Sequence, residues 1–249
     1  MTSSLHRPSL DALPGWVAAF STRLGGVSAP PFGSLNLSRS VGDKPDAVAA
    51  NRALVCTALG VRADQLAVAG QVHGAEVCVV EAPGLYPGFD GLVTAVPDVV
   101  LTLTAADCAS VLLADPVRRV AGACHAGWRG TVAGIVGRTV SQMQDLGADP
   151  SGMQAYVSPC ISAAHFEVGE EVAAAFAPAY VVRPAGRPRP YVDLKAALRD
   201  QLVEAGVRAS HVTVDPRCTY ADRTLFFSHR ADQGQTGRMM GFVGMVAVT

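Results

Sequence analysis

The chain has 249 residues, of which 49% are hydrophobic and 16% charged, and 20 basic residues nearly cancel 21 acidic ones for a formal net charge of -1. That length suffices for one large domain with a substantial core, and the charge balance leaves no electrostatic footprint for nucleic acid or an anionic membrane. Met1 to Pro8 lacks a basic stretch followed by an apolar run, so no secretory signal is read and a cytoplasmic location is expected. The longest apolar stretch, Val96 to Ala114, is interrupted by Pro97, Asp98 and Asp107, which speaks against a membrane span.

In chain order, residues 1–15 are expected to be peripheral, with His6 in a frayed terminus, and Trp16 to Thr22 reads as the first strand. A loop rich in glycine and proline follows over 25–33, then Asp43 to Leu59 has helical spacing with Gly60 as its stop. Gln65 to Gly70 and Val77 to Glu81 are strands, Tyr86 to Gly91 is a turn, and Val99 to Leu103, Val111 to Ala114 and Val120 to Cys124 are further strands. From Trp128 to Leu146 the period becomes helical, with Val132, Ile135, Val136, Val140 and Met143 on one face and Gly147 closing the helix. Met153 to Val157 is strand, Gly169 to Phe176 helix, Tyr191-Val192 a short strand, and Leu194 to Ala205 a helix stopped by Gly206. His211 to Val214, Leu225 to Ser228 and Met240 to Val248 complete the strands, and Pro184 to Pro190 is a flexible surface loop. Strands and helices mix without strict alternation or internal repeat, which predicts one α/β domain with mixed sheets.

Three soft metal-ligand types stand where apolar runs meet turns: His73 before Gly74, Cys108 after Asp107, and His125 before Ala126-Gly127-Trp128-Arg129-Gly130. Such positions offer side chains to a cleft. A lone histidine beside an apolar run is more often a satisfied structural histidine than a ligand, so context must decide. Gly74 and Gly127 let backbone pass close to a ligand, and Asp107 supplies an acid, a base or an orienting group. Two imidazoles and a thiolate suit zinc, and three protein ligands leave a position open for water or substrate. Adjacent strand residues face opposite ways, so if His125 faces the cleft Cys124 faces the core, which leaves Cys108 as the thiol. Residue type does not separate a zinc-bound Cys108 from a nucleophilic Cys108 with His125 as general base. The six cysteines contain no C-x-x-C pair, and the default for most is a buried, reduced thiol. Arg23, Arg129 and Arg230 are flanked by turn residues, where a guanidinium can grip phosphate or carboxylate at two points.

Phe20-Ser21-Thr22-Arg23-Leu24-Gly25-Gly26, Pro31-Phe32-Gly33-Ser34-Leu35-Asn36-Leu37, Asn51-Arg52, Gln71-Val72-His73-Gly74, Ala106-Asp107-Cys108, His125-Ala126-Gly127-Trp128-Arg129-Gly130 and Thr236-Gly237-Arg238-Met239 resemble the laccase-domain proteins in order and spacing. That family was named polyphenol oxidases and is now also described as purine nucleoside phosphorylases. The resemblance implies a single domain over 1–249 with a four-layer α/β/β/α sandwich, similar to a cytotoxic-necrotizing-factor catalytic domain. It also implies zinc held by His73, Cys108 and His125, phosphorolysis of adenosine, inosine and methylthioadenosine, and deamination of adenosine. The chain departs from the family at Ser110, where proline is usual, and at Ala231, where arginine is usual.

Phosphorolysis passes through a cation-like ribosyl transition state and needs a positioned phosphate and a stabilised leaving base. Arg23, Arg129 and Arg230 with Asn36 are the expected phosphate contacts, and Asp107 the group that eases departure of the base or shuttles the proton of deamination. The expected ligands are thus a small purine nucleoside and phosphate, with neither nucleic acid nor membrane as partner and a monomer as the oligomeric state. A Cys-His amide hydrolase using Cys108 and His125 is the alternative enzyme. Copper-dependent phenol oxidation is the other: six histidines and no His-x-His pair cannot build a multi-copper cluster, although one His2Cys site could hold a single copper.

Overall fold

A computed structural model describes residues 4–246. Two six-stranded mixed sheets dominate it. The first runs in the order β1 (Leu5–His6), β2 (Trp16–Ser21), β14 (Met239–Met245), β7 (Val100–Ala105), β3 (Leu66–Gly70) and β5 (Gly84–Pro87). The second runs β13 (Val212–Val214), β10 (Gln154–Val157), β8 (Ala109–Asp115), β9 (Val120–Ala126), β6 (Gly91–Thr94) and β4 (Val77–Val79). A two-stranded ribbon, β11 (Val181–Val182) with β12 (Tyr191–Val192), lies apart from both.

Strand alternation explains why the sheets stack. On β2, Trp16, Ala18 and Phe20 enter a core shared with Leu101, Leu103, Leu112, Tyr156 and Val243, which lies between the two sheets. Val17 and Ala19 turn the other way, against Val55, Cys56 and Leu59 of helix α1 (Pro45–Leu59). On the far side of the second sheet, Val111, Leu113 and Cys124 pack against α3 (Ile135–Asp145) and α5 (Leu194–Glu204). The order is therefore helix, sheet, sheet, helix, the expected four-layer sandwich in one domain. Because both faces of each central strand are covered, β8, β9 and β14 are buried at every position and read as continuous apolar runs.

Four expected elements differ. The helix foreseen from Trp128 to Leu146 is two, α2 (Trp128–Val132) and α3, because Gly134 between them takes a left-handed φ of 75°. The turn foreseen over 86–91 begins as an edge strand, β5, where Pro87 is tolerated because only one side of the strand is paired. Helix α4 is shorter than foreseen, at Glu170–Ala173. Leu225 to Ser228 is not a strand: the Leu225 and Phe226 N–H groups bond back to Asp222 and that of Phe227 bonds Met239 Sδ, which leaves no ladder to join. The last residues of the strand foreseen to Val248 lie outside the described residues.

The amino-terminal segment is less peripheral than its composition suggests. Leu10 is buried between the sheets, and His6 pairs with Phe20 on β2. His6 Nε2 also sits 3.0 Å from Asp215 Oδ2, a carboxylate at the end of β13 that accepts from Tyr156 Oη at 3.0 Å and Arg217 Nε at 2.9 Å. Asp215 thus ties the edge of one sheet to the edge of the other. Burial alone would raise its carboxyl, but the donors from Arg217 and Tyr156 outweigh that and hold it below the usual aspartate range. A carboxyl lowered on folding contributes stability above its unfolded value of about 3.9, and that stability is lost as pH falls through the folded value. Asp215→Asn is expected to cost about 2–3 kcal/mol at neutral pH. In urea denaturation series, the variant should also lose stability less steeply than the parent below about pH 4.

Candidate active site

A cleft of about 980 Å³ opens at the ends of the sheets, and His73, Cys108 and His125 share its wall. His73 follows β3 of the first sheet, Cys108 stands in the turn that passes from β7 to β8 and so from one sheet to the other, and His125 is on β9 of the second. Their ligand atoms all lie within 4.8 Å of one another, and no other group of three such residues comes together among the described residues. Metal–nitrogen and metal–sulfur bonds of about 2.0 and 2.3 Å fit that spacing.

The carboxylate that assembles the trio is Asp90, fully buried immediately before β6. Its Oδ1 is 2.8 Å from His125 Nδ1 and accepts the His73 N–H at 3.1 Å, while Oδ2 accepts the N–H groups of Val72 and Gly74 at 3.0 and 2.7 Å. An ionised carboxylate only accepts, so it keeps a proton on His125 Nδ1 and turns Nε2 to the cleft. The same bonds hold His73 at a φ of 62°, a left-handed conformation uncommon outside glycine. Gly127 leaves room for the thiol: a Cβ there would lie 2.8 Å from Cys108 Sγ. Burial alone would raise the Cys108 thiol, but His125 and His73 beside it bring it down to about 6. Burial alone would lower His125, and Cys108 and Asp90 raise it instead. Two imidazoles and a thiolate, one imidazole braced by a carboxylate, make a donor set that fits zinc and could accept a single copper.

Cys124 points into the helix-covered core, where burial pushes its thiol up to about 12. Asp107 lines the cleft beside Cys108, yet its carboxylate already accepts from Thr219 Oγ1 at 2.7 Å, Ser228 Oγ at 3.0 Å and the Arg230 N–H at 2.7 Å. It braces the turn that presents the thiol, itself at a φ of 80°. Arg230 lines the cleft, with its guanidinium on the Glu167 carbonyl at 2.8 Å.

The other expected phosphate contacts lie elsewhere. Arg23 donates to the carbonyls of Gly33 and Arg223 and packs on the Phe227 ring. Arg129 is exposed and stacks on Trp128, outside the cleft lining. Asn36 is fully buried, with its amide on Ser38 O and Asp43 Oδ2. Arg23 and Asn36 thus organise their own loops, and Arg129 does not enter the cleft. Ser110, one of the two departures, is buried inside β8 with an unpaired hydroxyl against Gly241, between the sheets and not in the cleft. Ala231 donates its N–H to Ser228 Oγ, again outside the cleft lining.

The residues that sequence reasoning passed over are Asp90 and the cleft arginines Arg39, Arg52 and Arg238. Asp90 reads as an ordinary turn aspartate, and nothing local marks it. Arg52 and Arg238 did carry a signal, since both fall within the motifs quoted above.

The layered fold recurs in solved structures. YlmD from Geobacillus stearothermophilus superposes with a TM-score of 0.92 at 34% identity, covering 99% of this chain and 98% of that one. A hypothetical protein YfiH from Bacillus licheniformis gives a TM-score of 0.90 at 31% identity, covering 98% and 97%. The protein is thus a two-sheet α/β sandwich of their kind. Residues 17–246 match the family described as multi-copper polyphenol oxidoreductase laccase, and the chain belongs to that family. Among its relatives, a purine nucleoside phosphorylase of Deinococcus radiodurans is 49% identical over 233 residues, covering 91% of this chain and 88% of that protein. Another named so, from Mycobacterium tuberculosis, is 43% identical over 231 residues, covering 90% of each.

Asp90→Asn keeps the size of the side chain but weakens the brace on His125. It is expected to lower zinc affinity about 10–100-fold in chelator competition. In metal-free protein, Cys108 is a thiolate above about pH 6. Iodoacetamide labelling followed by peptide mass spectrometry should therefore show Cys108 modified with a midpoint near that pH, and protected by zinc. Cys78, whose thiol burial raises, should react only under alkaline conditions.

Proposed function

We propose that the protein is a zinc-dependent purine nucleoside phosphorylase that also deaminates adenosine, with adenosine, inosine and methylthioadenosine as its substrates. The observation that carries this reading is the trio His73, Cys108 and His125, three ligands and not four among the described residues, on the wall of a cleft roomy enough for a nucleoside. The relatives named purine nucleoside phosphorylase support it. A zinc ion held there supplies Lewis-acid polarisation of a substrate atom.

The chain's own groups do the rest. Asp90 fixes the His125 ring and the backbone at 72–74, so the ligand atoms keep their spacing without reorganising during the reaction. Trp128 and Phe166 line the same cleft and offer aromatic surface to a purine, while Gln71 and Thr104 are polar groups on the wall. Deamination needs a carboxyl group that moves a proton to the leaving amine, and Asp107 is the candidate once it releases one of its donors.

A second reading rests on the same bonds: Cys108, His125 and Asp90 form a thiol, imidazole and carboxylate in sequence, the order of a Cys-His hydrolase, with the thiol lowered by the imidazole. Cys108→Ser separates the two. Loss of bound zinc together with phosphate-dependent release of adenine or hypoxanthine marks the thiol as a ligand; retained zinc with loss of an amide-hydrolase activity marks it as a nucleophile. If zinc-loaded protein releases no base from adenosine or inosine when phosphate is added, the phosphorylase reading fails. With it active, the variant is expected to fall at least 10³-fold in that assay.

A further inference from the structure

We propose that Arg39, Arg52 and Arg238, with the hydroxyls of Ser38 and Ser40 beside them, form a binding site for a phosphate group in the cleft that holds His73, Cys108 and His125. The three side chains line the cleft from separate segments of the chain: the loop before α1, α1 itself, and the residue before β14. None of the three is ion-paired with a carboxylate among the described residues.

Their anchoring leaves donors free. Arg52 spends Nε on the Leu37 carbonyl at 2.9 Å, which holds the fork in place with its terminal nitrogens uncommitted. Arg238 spends Nη1 on the carbonyls of Thr236 and Gly237, at 2.8 and 3.0 Å, and its Nη2 is 3.5 Å from His229 Nδ1. Arg39 is exposed at the mouth. Ser38 Oγ accepts the Ser40 N–H at 3.2 Å and lies 3.0 Å from Ser40 Oγ, so the two hydroxyls stand together.

Like charges gathered without a counter-ion are unfavourable, more so when partly buried. The strain shows at Arg52, which burial first and Arg39 second bring down to about 10. A tetrahedral oxyanion removes it, because guanidinium forks grip phosphate oxygens at two points and hydroxyls add donors without charge. A buried carboxylate in this protein attracts its own donors, as Asp90, Asp107 and Asp215 do; at Arg39 and Arg52 the donors are present without an anion, while Arg238 stands toward the charges of Asp107 and Cys108.

That the site takes a phosphate group stands on this geometry; that the group is the co-substrate rests on the phosphorylase reading. Calorimetric titration of zinc-loaded full-length protein with inorganic phosphate tests the first. Arg39→Gln, Arg52→Gln and Arg238→Gln should each weaken phosphate binding about tenfold or more with zinc content unchanged, whereas Arg118→Gln, in the exposed turn between β8 and β9, should not. Arg39 is exposed, so its variant folds even if the other two do not. Phosphate bound by the variants as tightly as by the parent, or not bound by the parent at all, overturns the proposal. Phosphate bound through these arginines with no base released from nucleosides keeps the site and removes the phosphorylase reading. Competition distinguishes the source. Phosphate displaced by a purine nucleoside 5′-monophosphate but not by the nucleoside assigns the site to a phosphate ester, and phosphate bound together with the nucleoside assigns it to the free ion.

Discussion

The trio at the cleft depends first on one carboxylate. Asp90 has no exposure to water, and it meets its need for hydrogen bonds by gathering the His125 ring and three successive backbone N–H groups. An unpaired charge at that depth would cost several kcal/mol, so the loop over 72–74 is drawn to it as firmly as it is drawn to the loop. The position of His73, its left-handed backbone and the tautomer of His125 are consequences of that one exchange. Asp107 has a similar role beside the thiol, where Thr219, Ser228 and the Arg230 N–H hold the conformation that aims Cys108. Two buried acids, neither of them a ligand in the trio, decide where the three ligand atoms stand.

Much of the fold is legible in the chain because its strongest signals are periodic. Alternation on β2 sends Trp16, Ala18 and Phe20 one way and Val17 and Ala19 the other, and the same rule separates His125 from Cys124. Glycine punctuation places the end of α1 at Gly60, with its left-handed φ of 71°. What escapes is whatever tertiary context decides. Phe226 and Phe227 have the composition of a strand, yet their backbone donors are taken by Asp222 and Met239, so the segment packs irregularly into the core between the sheets. Gly134 breaks a helix that apolar spacing in the sequence would carry through it, and Val132, expected on the apolar face, is left exposed.

The site divides along the same line. His73, Cys108 and His125 announce themselves because histidine and cysteine beside turns are chemically conspicuous. Arginines do not, since a solvated arginine and an anion-binding one look alike until their neighbours are known. Arg23 and Arg129 sit in glycine-rich motifs and yet serve as braces against Phe227 and Trp128, whereas Arg52, on a helix face, turns into the cleft. Asp90 is the extreme case, an acid whose importance comes wholly from residues 17 and 35 positions away in sequence.

The distribution of the trio over the fold has a further meaning. His73 hangs from the first sheet, His125 belongs to the second, and Cys108 occupies the strap that crosses between them. An ion bound by all three would rivet the two sheets at the end where the cleft holds them apart, against the apolar contacts that join them elsewhere. Affinity for the ion and cohesion of the sandwich then become one thermodynamic quantity: whatever separates the sheets releases the ion, and whatever binds the ion resists their separation.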